Sequence, residues 1–518
     1  MKQFKASQAS FWTCALSAIA GLVFAVSASG QATTGQIGGR VTDSTGAVIT
    51  DAAITITDEN KGVTFSGHTD ASGNYTVLSM PPGLYSVTAR ASGFNQTKVA
   101  HVALSIDQHA ELNFLLKIGD VSSEITVTDT APLLQTQTAE VGTVIGGSAI
   151  VDLPLAGRNF YALTMLVPGV TTGSSGINAL NISVGGQRAY SNSVQMDGIE
   201  STTNRTQDVT VTPNVDAVDQ FKVVTAAYNA EFGNAAGGVI AIQTKAGGNA
   251  FHGDAYEFFR PNFLTAKQTI PGVDTPQPAS TLKQHNFGAT FGGPIKKDRS
   301  FFFVAYEGMR QKSAFSDVTS TIPFGLFDLS TGNADFSKLV DPYAGKTGLA
   351  KDGKPYPGAG TVVKIFDPNT DNAWWPTQFP NNTIPKTRIS QAGLNTLLNF
   401  YPKPNLQGID NGWFRNYQAW APTSNDTNQV DARFDQVITS KDRLYSVYHW
   451  LGNNILDGDQ YYGHTAVPGA GDADQAQKED DGSQSISLTY DHIFSANALN
   501  EFRFGYLYYH QHQYSLLN

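Results

Sequence analysis

The second half of the chain alternates between apolar and polar residues at a period of two. One run places Phe502, Phe504, Tyr506 and Tyr508 on one face, with Glu501, Arg503 and Gly505 between them. Alternation of this kind predicts β-strands with one apolar and one polar face. Seven strands are predicted, the first and fifth from weaker patterns, near residues 251–260, 283–292, 300–312, 429–437, 443–451, 484–493 and 501–509. Their lengths are close to that of a tilted membrane strand, about 9–11 residues, which favours strands that face lipid.

The connections between the predicted strands alternate strictly in length. Residues 293–299, 438–442 and 494–500 form short connections, and residues 261–282, 313–428 and 452–483 form long ones. Outer-membrane barrels have short periplasmic turns and long external loops, an order that a soluble β-sandwich does not require. The pattern therefore predicts part of an antiparallel outer-membrane β-barrel. Because plugged barrels have about 22 strands, we expect a C-terminally incomplete barrel that lacks about 15 of them.

Two apolar runs precede the predicted barrel, at residues 218–224 and 239–242. Both have the composition of buried strands, and Gly237-Gly238 between them allow the backbone to approach a neighbour closely. Gly247-Gly248 follow, where we expect a hinge at the entry to the barrel. Together with a short helix predicted over residues 151–167, these elements indicate a small mixed α/β domain.

The N-terminal part, residues 35–117, contains short apolar strands separated by turn sequences rich in glycine and proline. Ile54 and Ile56 alternate with threonines, so one face of that strand is predicted to be buried. Tyr75 and Tyr85 are expected to pack between two sheets. Regular short strands with frequent turns predict a small β-sandwich.

The composition agrees with an all-β chain that faces lipid. Only 15% of the 518 residues are charged, against about 25% in soluble proteins, and the chain has 50 glycines, 30 phenylalanines and 20 tyrosines. The net charge of −10 argues against a nucleic-acid partner, because binding nucleic acid requires a basic surface.

The first 30 residues have the pattern of a cleaved signal peptide. Lys2 and Lys5 precede an apolar stretch at residues 11–26, and small residues at 28–30 offer a cleavage site. A membrane anchor is the alternative, although the stretch is short for a spanning helix. Cys14, the only cysteine, lies in this segment. The exported chain is therefore expected to have no disulfide, thiolate metal site or cysteine nucleophile.

Two sets of motifs resemble known families. Gly39-Arg40-Val41-Thr42-Asp43 and Pro82-Gly83-Leu84-Tyr85 are similar to the carboxypeptidase regulatory-like domain, a transthyretin-like sandwich without an active site. Gly157-Arg158-Asn159, Asp197-Gly198 and Gly237-Gly238 resemble the plug of TonB-dependent outer-membrane receptors. A regulatory-like domain before a plug is the arrangement of Oar-like receptors.

The resemblance and the strand patterns together imply a mainly β chain with five parts. We expect a signal peptide (1–30), a transthyretin-like β-sandwich (31–118), a linker (119–130), a small α/β plug (131–248) and the first strands of an outer-membrane antiparallel β-barrel (249–518). The implied location is the outer membrane of a Gram-negative bacterium, in contact with its lipid.

The linker contains an extended segment that resembles the TonB box of these receptors. Its residues are Glu124, Ile125, Thr126, Val127 and Thr128. An extended segment can add itself as a strand to the sheet of another protein, which here implies a TonB-like energy-coupling partner. The alternative is an ordinary strand of the linker or plug. The resemblance also implies that plug charges contact the barrel wall, and the candidates are Arg158, Arg188, Asp197 and Glu231.

No catalytic motif or cofactor motif is recognisable, so neither an enzyme nor a cofactor is predicted. Residues 367–378 begin like a calcium loop but have Asn372 and Gln378 where glycine and glutamate are required. His510 and His512 share a strand face without an evident third ligand, which argues against a metal site.

The long connection 313–428 contains four tryptophans, which are candidates to contact an external ligand: Trp374, Trp375, Trp413 and Trp420. They could equally pack this loop over the mouth of the barrel. The predicted function is uptake of a bulky nutrient, such as a carbohydrate, a peptide or a metal chelate. A non-transporting adhesin or surface scaffold of the same architecture is the alternative.

Overall fold

The structure is a computed structural model, and most of the residues it describes form β-strands. The described residues are 34–119, 124–127, 140–153, 155–172, 182–203, 209–228, 232–233, 235–264, 281–319, 321, 327–328, 332–337, 364–369, 377–400, 403–406, 416–457, 477–495 and 498–515. They form three parts, which we call the sandwich, the plug and the wall. Within this part of the chain, no helix is both long and apolar enough to cross a membrane.

The sandwich consists of nine strands in two sheets. The strands are β1 (Gly35–Asp43), β2 (Ala53–Asp58), β3 (Thr64–His68), β4 (Asn74–Met80), β5 (Gly83–Arg90), β6 (Gln96–Leu104), β7 (His109–Glu111), β8 (Phe114–Leu116) and β9 (Glu124–Val127). One sheet has the order β4-β1-β7, with β8 also paired to β1, and the other has the order β3-β2-β5-β6-β9.

The core of the sandwich follows from the alternation in its strands. Ile54 and Ile56 of β2 are buried, and Thr55 between them is exposed. Tyr75 and Tyr85 are buried in the same core, as predicted. The Tyr75 hydroxyl donates a hydrogen bond to the carbonyl of Leu112 at 2.7 Å, so its one polar atom is satisfied. The burial of apolar side chains is the main contribution to the stability of this part of the chain.

The plug consists of seven strands and one short α-helix. These elements are β10 (Val141–Gly146), α1 (Gly147–Asp152), β11 (Val170–Thr172), β12 (Ile182–Val184), β13 (Ser193–Met196), β14 (Ile199–Glu200), β15 (Val218–Ala226) and β16 (Val239–Thr244). Five of the strands form a sheet of order β10-β15-β16-β13-β14, and β11 and β12 form a hairpin. Single 3₁₀ turns or short 3₁₀ helices lie at Ala156–Arg158, Phe160–Leu166, Ala189–Ser191 and Val215–Ala217.

The two central strands of the plug sheet are covered on both faces. All six residues of β16 are buried, and Phe221 and Val223 of β15 are fully buried. This explains why these strands are continuous apolar runs without alternation. The buried strands predicted at residues 218–224 and 239–242 are confirmed as β15 and β16, and β16 pairs with β15 and β13.

The helix predicted over residues 151–167 is wrong in extent and type. Residues 147–152 form α1, and a 3₁₀ helix follows at Phe160–Leu166. Gly157 and Arg158 between them have positive φ angles of 71° and 54°, which an α-helix cannot contain. The Asn159 side chain accepts a hydrogen bond from the Tyr161 N–H at 3.0 Å and starts the second segment.

The wall is a single antiparallel sheet of seven strands. They are β17 (His252–Pro261), β18 (Thr281–Lys296), β19 (Ser300–Thr319), β23 (Tyr417–Val437), β24 (Asp442–Asp457), β25 (Gln477–Ser495) and β26 (Ala498–Ser515). Between β19 and β23 lie β20 (Phe327–Asp328), β21 (Asn333–Asp335), β22 (Thr383–Ile384) and α2 (Gln391–Phe400), with 3₁₀ turns at Pro380–Asn382 and Lys386–Arg388 and another, after β17, at Asn262–Leu264. Each wall strand pairs only with its neighbours in sequence order among the described strands, so the barrel is not closed.

Several wall strands are longer than predicted. The alternation marked residues 300–312 and 429–437, whereas β19 ends at Thr319 and β23 begins at Tyr417. The additional residues of these two strands pair with each other through the backbone, and Trp420 lies opposite Ser316. A strand of 20 residues exceeds the membrane thickness, so these ends need no lipid-facing alternation. Trp420 therefore lies in a strand and not in the long loop.

The two faces of the wall differ as the sequence predicts. Asp431, Arg433 and Asp435 of β23 point to the inner face and are buried there, whereas Phe434 is exposed. On β26, Phe504 and its apolar neighbours are about half exposed. An exposed aromatic row on one face and buried charges on the other are typical of a wall between lipid and a filled lumen.

This arrangement predicts a position-dependent cost for a charge on the outer face. Phe504 lies in the middle of the predicted crossing, and we expect Phe504→Arg to lower the free energy of unfolding by about 2–4 kcal/mol. Phe494, which is also exposed, is the next-to-last residue of strand β25, so Phe494→Arg is a matched control with an expected cost of about 0–1 kcal/mol. Urea titration of the full-length receptor in lipid vesicles measures both values. Equal costs at the two positions would contradict the assignment of the lipid-facing surface.

Candidate functional site

The candidate site is the junction at which the plug meets the inner face of the wall. Arg158 lies at its centre, and its side chain is only 9% exposed. Its guanidinium forms ion pairs with Asp216 of the plug and, at 3.0 Å, with Glu307 of the wall. The positive φ of Gly157 and Arg158 turns the chain so that the arginine points outward from the plug.

Two wall aromatics complete the surroundings of Arg158. The guanidinium carbon lies 4.5 Å from the ring centroid of Tyr256 and 4.4 Å from that of Phe258. The Tyr256 hydroxyl in turn donates to Glu307 at 2.9 Å. A guanidinium that is paired with carboxylates and also placed over aromatic faces gains from both interactions in a site that excludes water. The prediction that Arg158 contacts the wall is consistent with this geometry.

Asp197 makes the second contact between plug and wall. Asp197 and Gly198 form a two-residue turn with positive φ at both positions, the type I′ geometry that joins β13 to β14. The Asp197 carboxylate lies 3.1 Å from Nε2 of His449, whose Nδ1 lies 2.6 Å from the Asp431 carboxylate. One wall imidazole thus lies between a plug carboxylate and a wall carboxylate.

Burial alone would raise the pKa of Asp197, but its hydrogen bond to His449 and the nearby positive charges of His449 and Arg433 lower that pKa below the usual value. Asp197 also accepts hydrogen bonds from the backbone N–H and the hydroxyl of Thr244, both at 3.1 Å. The carboxylate is therefore held ionised, and its charge ties the β13–β14 turn to the end of β16 and to the wall.

The third contact between plug and wall is made by neighbouring charged residues of β23, which also contact the sandwich. Arg433 donates to the carbonyl of Thr244 in the plug at 2.8 Å and pairs with Asp435 at 2.9 Å. Asp435 also pairs at 2.9 Å with Lys61, which belongs to the sandwich. His449, Arg433 and Asp435 were not predicted as site residues. The sequence pattern could have identified them, because each is a charged or titratable residue on the polar face of a predicted barrel strand.

Four glycines of the plug and the hinge lie where a side chain would collide with a neighbour, whereas Gly157 has no atom closer than 3.9 Å to such a Cβ. A Cβ atom on Gly198 would lie 2.1 Å from the Arg503 guanidinium, and one on Gly237 would lie 2.5 Å from the Asn192 side chain. A Cβ atom on Gly238 would lie 2.6 Å from Val184. A Cβ atom on Gly247 would lie 2.3 Å from the carbonyl oxygen of Phe302 in the wall. Gly247 is therefore where the chain leaves the plug and passes the wall backbone at close range.

The TonB-box candidate lies at an edge of the sandwich. Glu124, Ile125, Thr126 and Val127 form β9, which pairs in parallel with residues 96–99 of β6. Thr128 lies outside the described residues. The segment thus adopts the extended backbone expected of it, and its partner strand is in the sandwich and not in the plug.

The remaining candidates are not brought together. Trp374, Trp375 and Trp413, like Glu231, lie outside the described residues. Arg188 is exposed on the plug surface. The rings of His510 and His512 are 5.5 Å apart, and the described part of the chain contains no cluster of three or more potential metal-binding side chains.

Comparison with family profiles gives three matches in the order of the three parts. The carboxypeptidase regulatory-like domain matches residues 36–117, and the TonB-dependent receptor plug domain matches residues 135–239. The outer membrane β-barrel domain matches residues 243–518, more than half of the chain. The chain belongs to the TonB-dependent receptor family. Its place is the outer membrane of a Gram-negative bacterium, and its N-terminal domain is of the regulatory-like type.

Individual relatives are similar over parts of their length. The TonB-dependent transporter Oar of Myxococcus xanthus is 28% identical over 300 residues, which make up 55% of this chain and 28% of that protein. The chain therefore spans little more than a quarter of this receptor. Among solved structures, the outer membrane transporter YddB from Escherichia coli is 14% identical with a TM-score of 0.40, covering 70% of this chain and 38% of that one. The siderophore receptor PirA from Acinetobacter baumannii is 13% identical with a TM-score of 0.34, covering 71% and 44%.

Proposed function

We propose that this receptor takes up a bulky nutrient across the outer membrane, driven by a TonB-like protein that binds residues 124–128. Carbohydrates, peptides and metal chelates are the candidate classes of ligand. The proposal depends most on one observation, the plug that is fastened to the wall by buried ion pairs. Such a plug closes the lumen at rest, and its movement requires work from outside the domain.

The contacts between plug and wall are of a kind that can break and form again. Arg158, Asp197 and Glu307 are held by charge-assisted hydrogen bonds, which are directional and lost over small displacements. A continuous apolar interface would instead resist sliding over its whole area. A plug attached by a few ionic contacts can therefore be displaced as a body, which favours transport over a purely structural role.

The position of the box candidate supports the coupling step. As β9 it occupies the edge of a sheet, where an extended partner strand can pair with it or replace β6. Because residues 120–123 and 128–139 connect it to both neighbouring domains, a pull on the box is transmitted to the plug through the chain itself.

Deletion of residues 124–128 from the full-length receptor tests the proposal. We expect energised uptake to fall to the level of cells without the receptor, because the partner has no strand to bind. Binding of the same probe at the cell surface should remain within about twofold of the intact receptor. Suitable probes are labelled maltodextrins, a tryptic peptide mixture and a ferric chelate, each assayed with and without an uncoupler of the inner membrane.

A matched variant separates the effect of losing side chains from the effect of losing the backbone of this segment. Replacing Ile125 and Val127 with alanine keeps every backbone N–H and is expected to retain most of the uptake. If deletion leaves the uptake of every transported probe unchanged, the segment is not the coupling strand. If no probe is transported but a surface ligand is bound, the adhesin or scaffold alternative is favoured.

A further inference from the structure

The sandwich is joined to the plug by a buried ion cluster that the plug–wall contacts do not include. Lys222 of β15 lies between the apolar residues Phe221 and Val223, and its side chain is only 5% exposed. Its ammonium lies 2.9 Å from the carboxylate of Asp107, in the loop between β6 and β7 of the sandwich. It also lies 2.8 Å from the carboxylate of Glu140, just before β10. Two parts of the chain thus share one buried cation.

Further polar contacts accompany this cluster. The Lys222 ammonium also donates to the carbonyl of Asp107 at 3.2 Å, and the Ile106 N–H donates to the Gln220 side chain at 3.1 Å. Burial raises the pKa of Glu140, while the hydrogen bond and charge of Lys222 oppose that rise. Separating the two domains would therefore leave buried charged groups without their partners unless water reaches them.

The same sandwich also packs against the wall. Phe301 of β19 is 1% exposed and belongs to the apolar core of the sandwich. The Arg443 guanidinium lies 3.6 Å from the ring centroid of Phe65, and Lys61 pairs with Asp435. Near the hinge, the Asn249 N–H donates to the carbonyl of Asn60 at 2.9 Å. The sandwich therefore contacts the plug, the hinge and the wall at once.

We propose that the sandwich is a retaining domain that holds the plug in the wall, and that the Lys222–Asp107 ion pair is its attachment to the plug. The sandwich must then separate from β15 before the plug moves. The proposal deepens the proposed function, since it rests on a plug that moves during uptake. It assigns to the regulatory-like domain the task of keeping the lumen closed.

The variant Asp107→Asn tests the attachment with little change in shape. Asp107 has a φ of 50°, a conformation that asparagine tolerates, so the loop is expected to keep its fold. The substitution removes the negative charge on the sandwich and leaves Lys222 paired with Glu140 inside the plug. Asp51→Asn is the matched control, because Asp51 also has a positive φ of 55° but its side chain is 90% exposed.

Hydrogen exchange of the full-length receptor in lipid provides the measurement. In Asp107→Asn we expect peptides from residues 105–112 and from β15 to exchange at least about tenfold faster than in the wild type. In Asp51→Asn they should stay within about twofold. Strands β2 and β5 report whether the sandwich is folded and should be unchanged in both variants. Gln220→Ala removes the neutral contact to the sandwich and leaves the Lys222–Asp107 ion pair in place, so it should give a smaller increase of about threefold.

A disulfide supplies the converse experiment. A Cβ atom on Gly248 would lie 3.9 Å from the Cβ of Asn60, a separation that a disulfide can span, and the wild-type chain has only Cys14. In the Asp107→Asn background, oxidised Asn60→Cys/Gly248→Cys should restore the protection of β15, and reduction should remove it again. Unchanged exchange of β15 in a folded Asp107→Asn receptor would overturn the proposal, as would a disulfide without effect on that exchange. Because exchange requires neither ligand nor partner, this failure is distinguishable from failure of the transport assignment.

Discussion

Replacing Arg158 with methionine is expected to loosen the plug from the wall at a cost of about 3–5 kcal/mol. Methionine retains the apolar contact with the aromatic rings of Tyr256 and Phe258 but leaves the carboxylates of Asp216 and Glu307 buried without their shared cation. Uncompensated buried charge is among the most costly defects that a single substitution can produce.

Two comparisons make the Arg158→Met experiment specific. Arg188→Met removes the same side chain from an exposed position of the same plug and is expected to change stability by less than about 0.5 kcal/mol. The triple variant Arg158→Met/Asp216→Asn/Glu307→Gln also neutralises both carboxylates and should recover most of the loss. Hydrogen exchange of residues 160–166 in the full-length receptor reports the result. Equal exchange in Arg158→Met and Arg188→Met would show that the ion pairs do not hold the plug.

The sequence predicted the wall well because a wall strand carries a local signal. Apolar and polar residues must alternate wherever one face meets lipid and the other a filled lumen, as at Phe434 between Arg433 and Asp435. The outer parts of β19 and β23 carried no such signal. They pair through backbone hydrogen bonds beyond the lipid, where the side chains are not constrained to alternate.

The plug was predicted less completely, because its strands are short or buried on both faces. Strand β10 was missed since Val141–Gly146 is half glycine or threonine and mostly exposed at a sheet edge. The two central strands were found as apolar runs. The helix predicted over residues 151–167 is interrupted at Gly157 and Arg158, whose positive φ angles one sequence does not reveal.

The site residues were also predicted only in part. Arg158 and Asp197 were identified through motifs, but their partners lie far away in sequence, at Glu307 and His449. Lys222 stands out as a charge between the apolar residues Phe221 and Val223, yet its partner Asp107 is 115 residues earlier. Long-range ion pairs depend on the fold, so sequence patterns identify one member of a pair more readily than the pair itself.

The second large effect is expected at residues 124–128, the proposed coupling strand. Strand addition uses backbone N–H and C=O groups, and neighbouring residues of a strand direct these groups to opposite edges. Ile125 and Thr126 therefore direct their backbone groups to opposite edges of β9. Whichever edge a partner strand uses, one of these two residues would hydrogen-bond to it. Proline at that residue removes a hydrogen bond and distorts the strand, which should weaken binding of the partner by about tenfold or more.

Binding of the purified periplasmic domain of the TonB-like partner to the full-length receptor is the most direct test of the account. We predict that Ile125→Pro or Thr126→Pro raises the dissociation constant by at least about tenfold, whereas Ile125→Ala and Thr126→Ala, which keep the N–H, stay within about threefold. Dissociation constants of both proline variants within about twofold of the wild type would contradict the claim that residues 124–128 couple this receptor to its energy source.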